Sequence, residues 1–509
     1  MVPAQAPDTV GTAPLSLSPR GQYEGVGALD EPGLGVPAVV VEIGHSGQAP
    51  VRDLGGDVRS QVRSLAGRGL RVAAHRVGHL RVELDHRVDP VGRRSGPTAF
   101  PSLARMESDL VAIARGLLHG PATTVGTATS GGTESLLLAV LAAREGRPDV
   151  AAPRIVAPST VHAAVHKAGH LFGVAVDLVP VDPVTFRADP AAMEAAMTDD
   201  TVLVVVSAPS YAHGVVDPVA EVAAAAGRRG IRCHVDACIG GWVLPWLDRA
   251  EPWDLAVPEV TSISVDLHKY AYTPKGISLL LHRDPSLRRG HLYACAGWPG
   301  YTMLNSTIQS TKSGGPLAAA WAVVHAIGLD GYARLARVAH EAALDVAKGV
   351  EGVEGLEVVG APDSTLVALA ADETCDVFTV ADEMSERGWL VQPQMSFAGQ
   401  RPTLHLSLCA ATAPRAADLV EALGESAAAA RAAGPVVVDP QLAAAAAALD
   451  PAALDDAAFD GLLAIAGLSG GEGTVEVLRR MAPVNALLDV APPPLREALL
   501  LAVLDRLTR

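Results

Sequence analysis

Seven short apolar runs, each about as long as a β-strand, alternate mostly with stretches of helical periodicity between residues 124 and 282. Within these runs the apolar residues are largely continuous rather than alternating, which is typical of strands covered on both faces. The pattern predicts an α/β fold whose large domain is a seven-stranded, mainly parallel sheet flanked by helices. The runs are TVGTAT, RIVAP, AVDLVPV, LVVVSAP, RCHVDA, SISVDL and ISLLLH, starting at residues 124, 154, 175, 203, 232, 262 and 277.

The rest of the chain divides around this domain. The Pro- and Gly-rich residues 1–36 predict a flexible arm, and residues 37–118 an N-terminal segment that includes a helix from about Pro101. We place the large domain at residues 119–330. A second, smaller α/β pattern follows at 331–434, and an Ala-rich helical tail at 435–509.

Composition narrows the choice of partners. With 49% hydrophobic and 19% charged residues, the chain can build a large core. Its 40 basic and 56 acidic residues give a net charge of −16, which argues against nucleic acid or an anionic membrane as the main partner. Five scattered cysteines without a CxxC motif, and no apolar run long enough for a bilayer, favour a cytoplasmic protein.

Ligands of open α/β sheets bind at the carboxyl ends of the strands, and the first strand ends in TSGGTES. Small residues before a helix let the backbone approach an anion, and the helix N-terminus offers free N–H groups. Gly131, Gly132 and Thr133 are therefore a candidate phosphate cradle. A tight turn before an ordinary capped helix is the alternative.

Two further strand ends carry charged residues. Asp236 ends the apolar run RCHVDA, and Lys269 follows SISVDL in the motif SISVDLHKYAYTPKG. A buried carboxylate needs a cationic or hydrogen-bonding partner, and a buried lysine can become a Schiff-base nucleophile. Taken singly, a structural ion pair for Asp236 and a surface position for Lys269 would explain them equally well.

Three histidines in STVHAAVHKAGH, His162, His166 and His170, recur at helical spacing. Histidine pairs four residues apart can chelate zinc, but no acidic ligand or HExxH motif accompanies them, and we predict no metal site. A phosphate cradle, a carboxylate for a pyridinium nitrogen and a lysine for an aldehyde are together what pyridoxal 5′-phosphate requires. An imidazole such as that of His162 can stack on its ring. The four strand ends thus predict this cofactor.

The motifs TSGGTES, SAPSYAHGVVDP, HVDACIGGW and SISVDLHKYAYTPKG closely resemble those of the fold type I pyridoxal-phosphate lyases and group II decarboxylases. The pattern is nearest to sphingosine phosphate lyase, with glutamate and aromatic amino-acid decarboxylases as wider kin. The resemblance runs from about residue 100 to at least residue 332. It implies the fold type I architecture, with a small C-terminal α/β domain.

Residue by residue, the resemblance implies a complete cofactor site. Lys269 would hold the cofactor as a Schiff base, Asp236 would pair with the pyridinium nitrogen, and His162 would stack on the ring. The implied cofactor-binding residues are Gly131, Gly132, Thr133, His162, Asp236, His268, Lys269 and Thr311.

The segment QSTKSGG stands where the family has a loop that reaches into the partner subunit's phosphate site. Thr311 occupies the serine position of that loop and Lys312 the arginine position. The resemblance therefore implies a homodimer with a shared active site.

On the substrate side the sequence departs from sphingosine phosphate lyases. Arg93 and Gly96 stand where that pattern has Asn and His, whereas Lys275 is kept as a substrate-side residue. Because the phosphate-recognition pair is missing, we expect a carbon–carbon lyase acting as an amino-acid decarboxylase through an external aldimine and a quinonoid. A retro-aldol aldehyde lyase of the sphingosine phosphate lyase type is the alternative.

Three more residues are candidates for contact with the substrate. Tyr211 and His213, in SAPSYAHG, are placed near Lys269, with Tyr211 as a candidate proton donor. Arg401, in GQRPTLHLSL, could hold a substrate carboxylate, as an aminotransferase would need; a solvated turn arginine is the other interpretation. A cofactor-binding protein without catalysis is disfavoured by the complete set of lysine, aspartate, histidine and phosphate cradle.

Overall fold

The computed structural model describes residues 40–42, 70–75, 79–84, 100–309, 312–451, 456–465 and 479–507. The predicted flexible arm, residues 1–36, lies wholly outside the described residues. In the N-terminal segment, to which the sequence assigned no fold, three short strands form a small sheet in the order β1-β3-β2. They are β1 (Val40–Glu42), β2 (Leu70–His75) and β3 (His79–Leu84).

The large domain is built on a seven-stranded sheet, and each predicted apolar run supplies one of its strands. The strand order is β4-β10-β9-β8-β7-β5-β6, and β10 runs antiparallel to both of its neighbours while the other pairs are parallel. The predicted seven-stranded, mainly parallel sheet is confirmed. The strands are β4 (Val125–Thr129), β5 (Arg154–Pro158), β6 (Ala175–Val179), β7 (Thr201–Ser207), β8 (Arg232–Asp236), β9 (Val260–Asp266) and β10 (Ser278–His282).

Helices cover both faces of this sheet, which is why its central strands are apolar on both sides. All seven residues of β7 and all five of β10 are buried. The helices of this part of the chain are α1 (Pro101–Leu117), α2 (Gly132–Glu145), α3 (Ala163–Phe172), α4 (Pro190–Ala196), α5 (Val219–Arg228) and α6 (Pro285–Arg288). A short hairpin of β11 (Tyr293–Cys295) and β12 (Met303–Asn305) follows.

The long helix α7 (Gly314–Val350) leads from the large domain to the small one and is interrupted at Gly328, whose φ of 66° is not helical. The interruption lies close to residue 330, where the sequence places the domain boundary. Four antiparallel strands in the order β13-β14-β16-β15 make the small-domain sheet, with α8 and α9 packed on it. They are β13 (Leu356–Val359), β14 (Leu366–Ala371), β15 (Gln392–Gln394), β16 (Thr403–Ser407), α8 (Val377–Glu386) and α9 (Ala416–Ala433).

The described part of the tail is helical and contacts the small domain. Its helices are α10 (Pro440–Ala448), α11 (Asp456–Ile465), α12 (Ala482–Val490) and α13 (Pro493–Leu507). Both carboxylate oxygens of Asp382 accept hydrogen bonds at the start of α12, from the Met481 and Ala482 N–H groups at 2.9 Å each. Within the described residues, no helix combines the length and hydropathy needed to cross a bilayer.

A buried histidine at the centre of the large sheet makes the stability of the fold sensitive to acid. His234, on β8, is fully buried, and its two ring nitrogens lie 2.8 Å from Ser262 Oγ and 3.2 Å from Ser264 Oγ. Burial lowers the pKa of His234 from 6.5 to about 4. Between about pH 6.5 and 4, His234 is therefore protonated in the unfolded chain but not in the folded chain. The folded state loses stability as the pH falls through this range.

We predict that His234→Gln reduces this acid sensitivity by the contribution of one histidine; other buried histidines, such as His405, remain in the variant. The glutamine amide can still hydrogen-bond to serine, but it does not titrate. At about pH 4.5 the protonation of His234 in the unfolded chain should lower the unfolding free energy of the wild type by roughly 2 kcal/mol, and the variant should not show this loss. Calorimetry of both proteins between pH 7.5 and 4.5 measures this difference. Parallel pH profiles for the two proteins would contradict the assignment.

Candidate active site

A cavity of about 300 Å³ opens at the carboxyl edge of the large sheet, where the sequence predicts the site. Register explains why distant motifs meet there: Asp236, the last residue of β8, pairs with Ser207 of β7 and Ser264 of β9. The predicted site residues that line the cavity are Gly131, Gly132, Thr133, His162, Tyr211, Asp236, His268 and Lys269.

The glycine turn reaches the cavity because it has no side chains to keep it away. Helix α2 begins at Gly132 and has no side-chain cap, so the N–H groups of its first turn lack the usual partners. A Cβ atom on Gly132 would lie 2.8 Å from both Asp266 Oδ1 and Cys238 Sγ, closer than carbon can approach. This close approach requires glycine and leaves a concave backbone surface suited to a phosphate.

The predicted lysine is held by a buried carboxylate to which the sequence assigned no role. Lys269 Nζ lies 3.0 Å from Asp266 Oδ2, and the Ser278 hydroxyl donates to Asp266 Oδ1 at 2.5 Å. His268 Nε2 is 3.5 Å from the same carboxylate. Burial opposes the charge on Lys269, but the nearby carboxylates of Asp266 and Asp236 outweigh it and raise the pKa of the lysine.

Asp236 is buried, with 8% of its surface exposed, and closes the cavity on the side of β8. Its Oδ1 accepts a hydrogen bond from the Cys238 N–H at 3.1 Å. Burial and the adjacent acids raise the pKa of the Cys238 thiol well above its usual value, so that this thiol stays protonated. Asp236 is thus a buried acid facing the cavity, placed to pair with a cation there.

His162 is the N-cap of α3, and its Nδ1 accepts a hydrogen bond from the Ala164 N–H at 3.1 Å. A backbone amide can only donate, so Nδ1 carries no proton in this arrangement. The neutral imidazole therefore carries its proton on Nε2 and presents a donor there. His166 and His170 are exposed on the same helix and do not line the cavity. Within the described residues, no group of three or more His, Cys, Asp or Glu side chains could hold a metal ion.

Two predicted substrate residues lie outside the lining of the cavity. His213 is buried and stacks on Phe186, with ring centroids 4.4 Å apart. Arg401 pairs with Glu357 and donates to the Ala371 carbonyl at 2.9 Å, within the small domain. The structure does not bring the Arg401 guanidinium to the cofactor site.

The remaining predictions concern the edge of the site. Lys275 is exposed beside His268. Burial lowers the pKa of His268, the negative charge of Asp266 opposes this shift, and the positive charge of Lys275 adds to it. Thr311 lies outside the described residues. Lys312 forms an ion pair with Glu107, the Nζ to Oε1 distance being 2.6 Å.

Sequence reasoning missed Glu134, which joins two parts of the site. Its Oε2 accepts from the Ser130 N–H at 2.6 Å, and its Oε1 accepts from the Ile308 N–H at 2.9 Å. Ser130 lies in the glycine turn, and Ile308 precedes the loop of Thr311. A glutamate in the first turn of a helix usually complements the helix dipole, so its position alone did not reveal this link.

The residues present fit pyridoxal 5′-phosphate. The uncapped glycine turn offers N–H donors for the phosphate, Lys269 an amine for the aldehyde, and Asp236 a carboxylate for the ring nitrogen. His162 lines the same cavity, where its ring would be available to stack on the pyridine ring.

Comparison with known proteins decides the family. A sequence model described as the pyridoxal-dependent decarboxylase conserved domain matches residues 97–371, more than half of the chain. The chain belongs to the pyridoxal-dependent decarboxylase family. A second model, described as a "C-terminal putative HTH domain" of pyridoxal-dependent enzymes, matches residues 440–506.

Among the relatives of this decarboxylase-family chain are several sphingosine-1-phosphate lyases. The lyase of Dictyostelium discoideum is 37% identical over 62% of this chain and 59% of its own length. The lyase of Drosophila melanogaster is 35% identical over 57% of this chain and 54% of its own length. The chain thus spans little more than half the length of these relatives. The solved sphingosine-1-phosphate lyase of Burkholderia pseudomallei is 32% identical, with a TM-score of 0.64, over 76% of this chain and 94% of that one.

A solved glutamate decarboxylase from Lactobacillus brevis, 19% identical, superposes with a TM-score of 0.61 over 78% of this chain and 97% of that one, which shows the shared fold. The predicted fold type I architecture and the family resemblance are confirmed. Family membership also establishes the cofactor as pyridoxal 5′-phosphate.

We predict that Glu134→Gln weakens cofactor binding by this decarboxylase-family protein. Glutamine has one acceptor oxygen where Glu134 uses two, so its NH₂ group would face a backbone N–H and loosen the turn at Ser130 or the segment at Ile308. We expect about a tenfold rise in the cofactor Kd, measured by titrating the apo protein and following absorbance.

Glu145→Gln, at the exposed C-terminal end of the same helix, is the matched control and should leave the Kd unchanged. Equal affinities for the wild type and Glu134→Gln would show that the two hydrogen bonds do not shape the cofactor site.

Proposed function

We propose that this protein is a pyridoxal-phosphate-dependent carbon–carbon lyase that cleaves a phosphorylated amino alcohol by retro-aldol chemistry. The observation that carries the proposal is the cavity at which Lys269, Asp236 and the Gly131–Thr133 turn meet. The sphingosine-1-phosphate lyases among its relatives, at 32–37% identity, favour this reaction over the amino-acid decarboxylation expected from the sequence. Because Arg401 is paired within the small domain, the geometry gives little support to an aminotransferase.

Retro-aldol cleavage of a 2-amino-3-hydroxy compound requires one bond cleavage and two proton transfers at the active site. The C2–C3 bond breaks, the C3 hydroxyl loses its proton as an aldehyde forms, and C2 gains a proton. Pyridoxal phosphate, when bound, supplies the sink for the electron pair released from that bond. The side chains must orient the substrate, move two protons and keep water away.

Named residues can perform these tasks. Lys269 would hold the cofactor through its amine and would move protons at the reacting carbons. Asp236 would hold a proton on the pyridine nitrogen through a charge-assisted hydrogen bond. His162 offers an Nε2–H donor, and Tyr211 lines the same cavity and is our candidate for proton transfer with the substrate. Lys275, exposed beside His268, is the candidate cation for an anionic substrate.

A product assay tests the proposed reaction. The purified protein with pyridoxal phosphate is offered phosphorylated amino alcohols and common amino acids, each with and without a keto acid, and products are identified by mass spectrometry. We expect a long-chain or short-chain aldehyde together with phosphoethanolamine. Lys269→Ala should lose the visible absorbance of the lysine-linked cofactor and at least about 1,000-fold of the turnover.

Two other outcomes would overturn the retro-aldol proposal. An amine with released CO₂ would identify an amino-acid decarboxylase. A product that forms only when a keto acid is added would identify an aminotransferase.

We also propose that the active protein is a homodimer. Large apolar side chains are exposed around one stretch of the large domain, which is unusual for a surface that faces only water. They include Phe100, Leu292, Tyr293, Trp298, Tyr301 and Ile308, each 41–58% exposed. Phe100, Leu292 and Tyr293 line a second cavity of about 460 Å³, together with Lys312. Lys312 belongs to the loop that, by the family resemblance, would reach into a partner subunit.

We predict that Tyr293→Asp combined with Ile308→Asp converts the dimer to monomer, because burying two carboxylates in an apolar interface is costly. Light scattering coupled to size-exclusion chromatography gives the mass. Leu390→Asp, on a residue that is 93% exposed in the small domain, is the control and should stay dimeric. A wild type that is monomeric at micromolar concentration would contradict the proposed assembly.

A further inference from the structure

The loop that carries Tyr211 into the cavity is held by contacts from both domains. This segment, here called the Tyr211 loop, comprises residues 208–216 after β7. Its own turn is closed by the Gly214 N–H donating to the Ser210 carbonyl at 3.0 Å. The large domain holds it through the stack of His213 on Phe186 and a hydrogen bond from Arg187 to the Val216 carbonyl. The small domain adds contacts from β15, β16, the start of β14 and the chain before it.

One of these contacts is a parallel stack of rings. Tyr211 and His405 lie with ring centroids 4.1 Å apart and planes inclined by 17°. His405 is buried, 4% exposed, on β16, whereas Tyr211 is 40% exposed towards the cavity. The rigid partner of the pair is therefore the small-domain histidine, held in a strand that has neighbours on both sides.

Two backbone contacts hold the loop on either side of this stack. The Gln394 side-chain amide, on β15, donates to the Ala212 carbonyl at 2.8 Å and to Thr403 Oγ1 at 2.8 Å. At Gly214, where φ is 70°, an added Cβ would lie 2.6 Å from the Leu366 carbonyl oxygen, so the small domain packs directly on the loop backbone.

An ion cluster fixes the end of the loop. The carboxylate of Asp363, in the small domain, accepts from the Val216 N–H at 2.8 Å and pairs with Arg187 at 2.5 Å and Arg249 at 3.0 Å. The Asp363 N–H in turn donates to the Gly214 carbonyl at 3.1 Å. These bonds run from small-domain atoms to large-domain atoms, so they fix the loop relative to both domains.

The charge state of His405 suits a stacking role. Burial lowers its pKa to about 4, and its Nε2 lies 2.9 Å from the Ser407 hydroxyl. It therefore stays neutral at physiological pH and offers Tyr211 a flat, uncharged face.

We propose that His405 is a positioning residue that sets the angle of the Tyr211 ring at the active site through their stacked rings. The proposal deepens the proposed function, since it takes Tyr211 as a group that meets the substrate. On this view the small domain acts on the reaction through an aromatic contact, and Arg401 serves the fold of that domain.

Three variants separate positioning from folding. His405→Ala removes the stacked face, His405→Phe keeps a flat ring without the nitrogens, and His325→Ala is the matched control. His325 packs against Trp321 with the same centroid separation, 4.1 Å, although the two ring planes are inclined by 34°, and it does not line the site cavity. Thermal midpoints from circular dichroism confirm that each variant folds.

The first measurement is hydrogen–deuterium exchange of the peptide that covers the Tyr211 loop, in the apo protein and with pyridoxal phosphate. His405→Ala should speed exchange there at least about threefold and leave the cofactor Kd unchanged, while His405→Phe and His325→Ala match the wild type. Exchange in the His405→Ala loop equal to that of the wild type would overturn the proposal.

The second measurement uses whichever reaction the product assay identifies. His405→Ala should lower kcat about tenfold with KM changed less than threefold, and His405→Phe should recover most of the loss. In a Tyr211→Ala background the same substitution should have no further effect on kcat, because the ring it positions is absent. A full additional loss in that background would also overturn the proposal, whereas failure of the retro-aldol reaction leaves the exchange experiment intact.

Discussion

The buried carboxylate of Asp266 joins the parts of this active site. It stands at the end of β9, 2% exposed, and contacts the lysine, a serine of the neighbouring strand and the glycine turn. A buried carboxylate is costly unless it is paired and hydrogen-bonded, and here Lys269 and Ser278 meet that need. The same atoms leave no room for a Cβ on Gly132. Asp266 thus determines where the lysine amine lies relative to the glycine turn.

The parallel sheet explains why the motifs could be assembled from the sequence. Parallel strands deliver their carboxyl ends to one edge, so TSGGTES, HVDA and SVDLHK converge although about 140 residues separate the first from the last. Continuous apolar runs mark buried strands, and a Gly-rich turn, an aspartate and a lysine at their ends are unusual enough to name a cofactor. Both signals are local in the chain. The seven strands, the cofactor and the family therefore followed from the sequence.

What the sequence could not supply depends on contacts between distant segments. Strand β15 reads Gln-Pro-Gln and has no strand pattern of its own; it forms because β16 offers an edge. The sequence placed Arg401 where a ligand for a substrate carboxylate was expected, yet its guanidinium pairs with Glu357 on β13 of the same domain. Glu134 and His405 act through partners more than 100 residues away. No local spacing encodes such pairs, because they depend on how segments that are distant in the chain pack together.

The placement of these pairs assigns different tasks to the two domains. Lys269, Asp236 and the glycine turn, which are the candidates for binding the cofactor, all lie at the carboxyl edge of the large sheet, where strand register holds them. Tyr211 stands on a loop, and a loop needs support from outside to hold a ring at a fixed angle. His405 and Gln394 give that support from a second sheet, and Asp363 ties the two domains together beside it. If His405 positions Tyr211 as proposed, substrate-side geometry is set partly by the small domain, whereas the candidate cofactor residues lie on the large sheet.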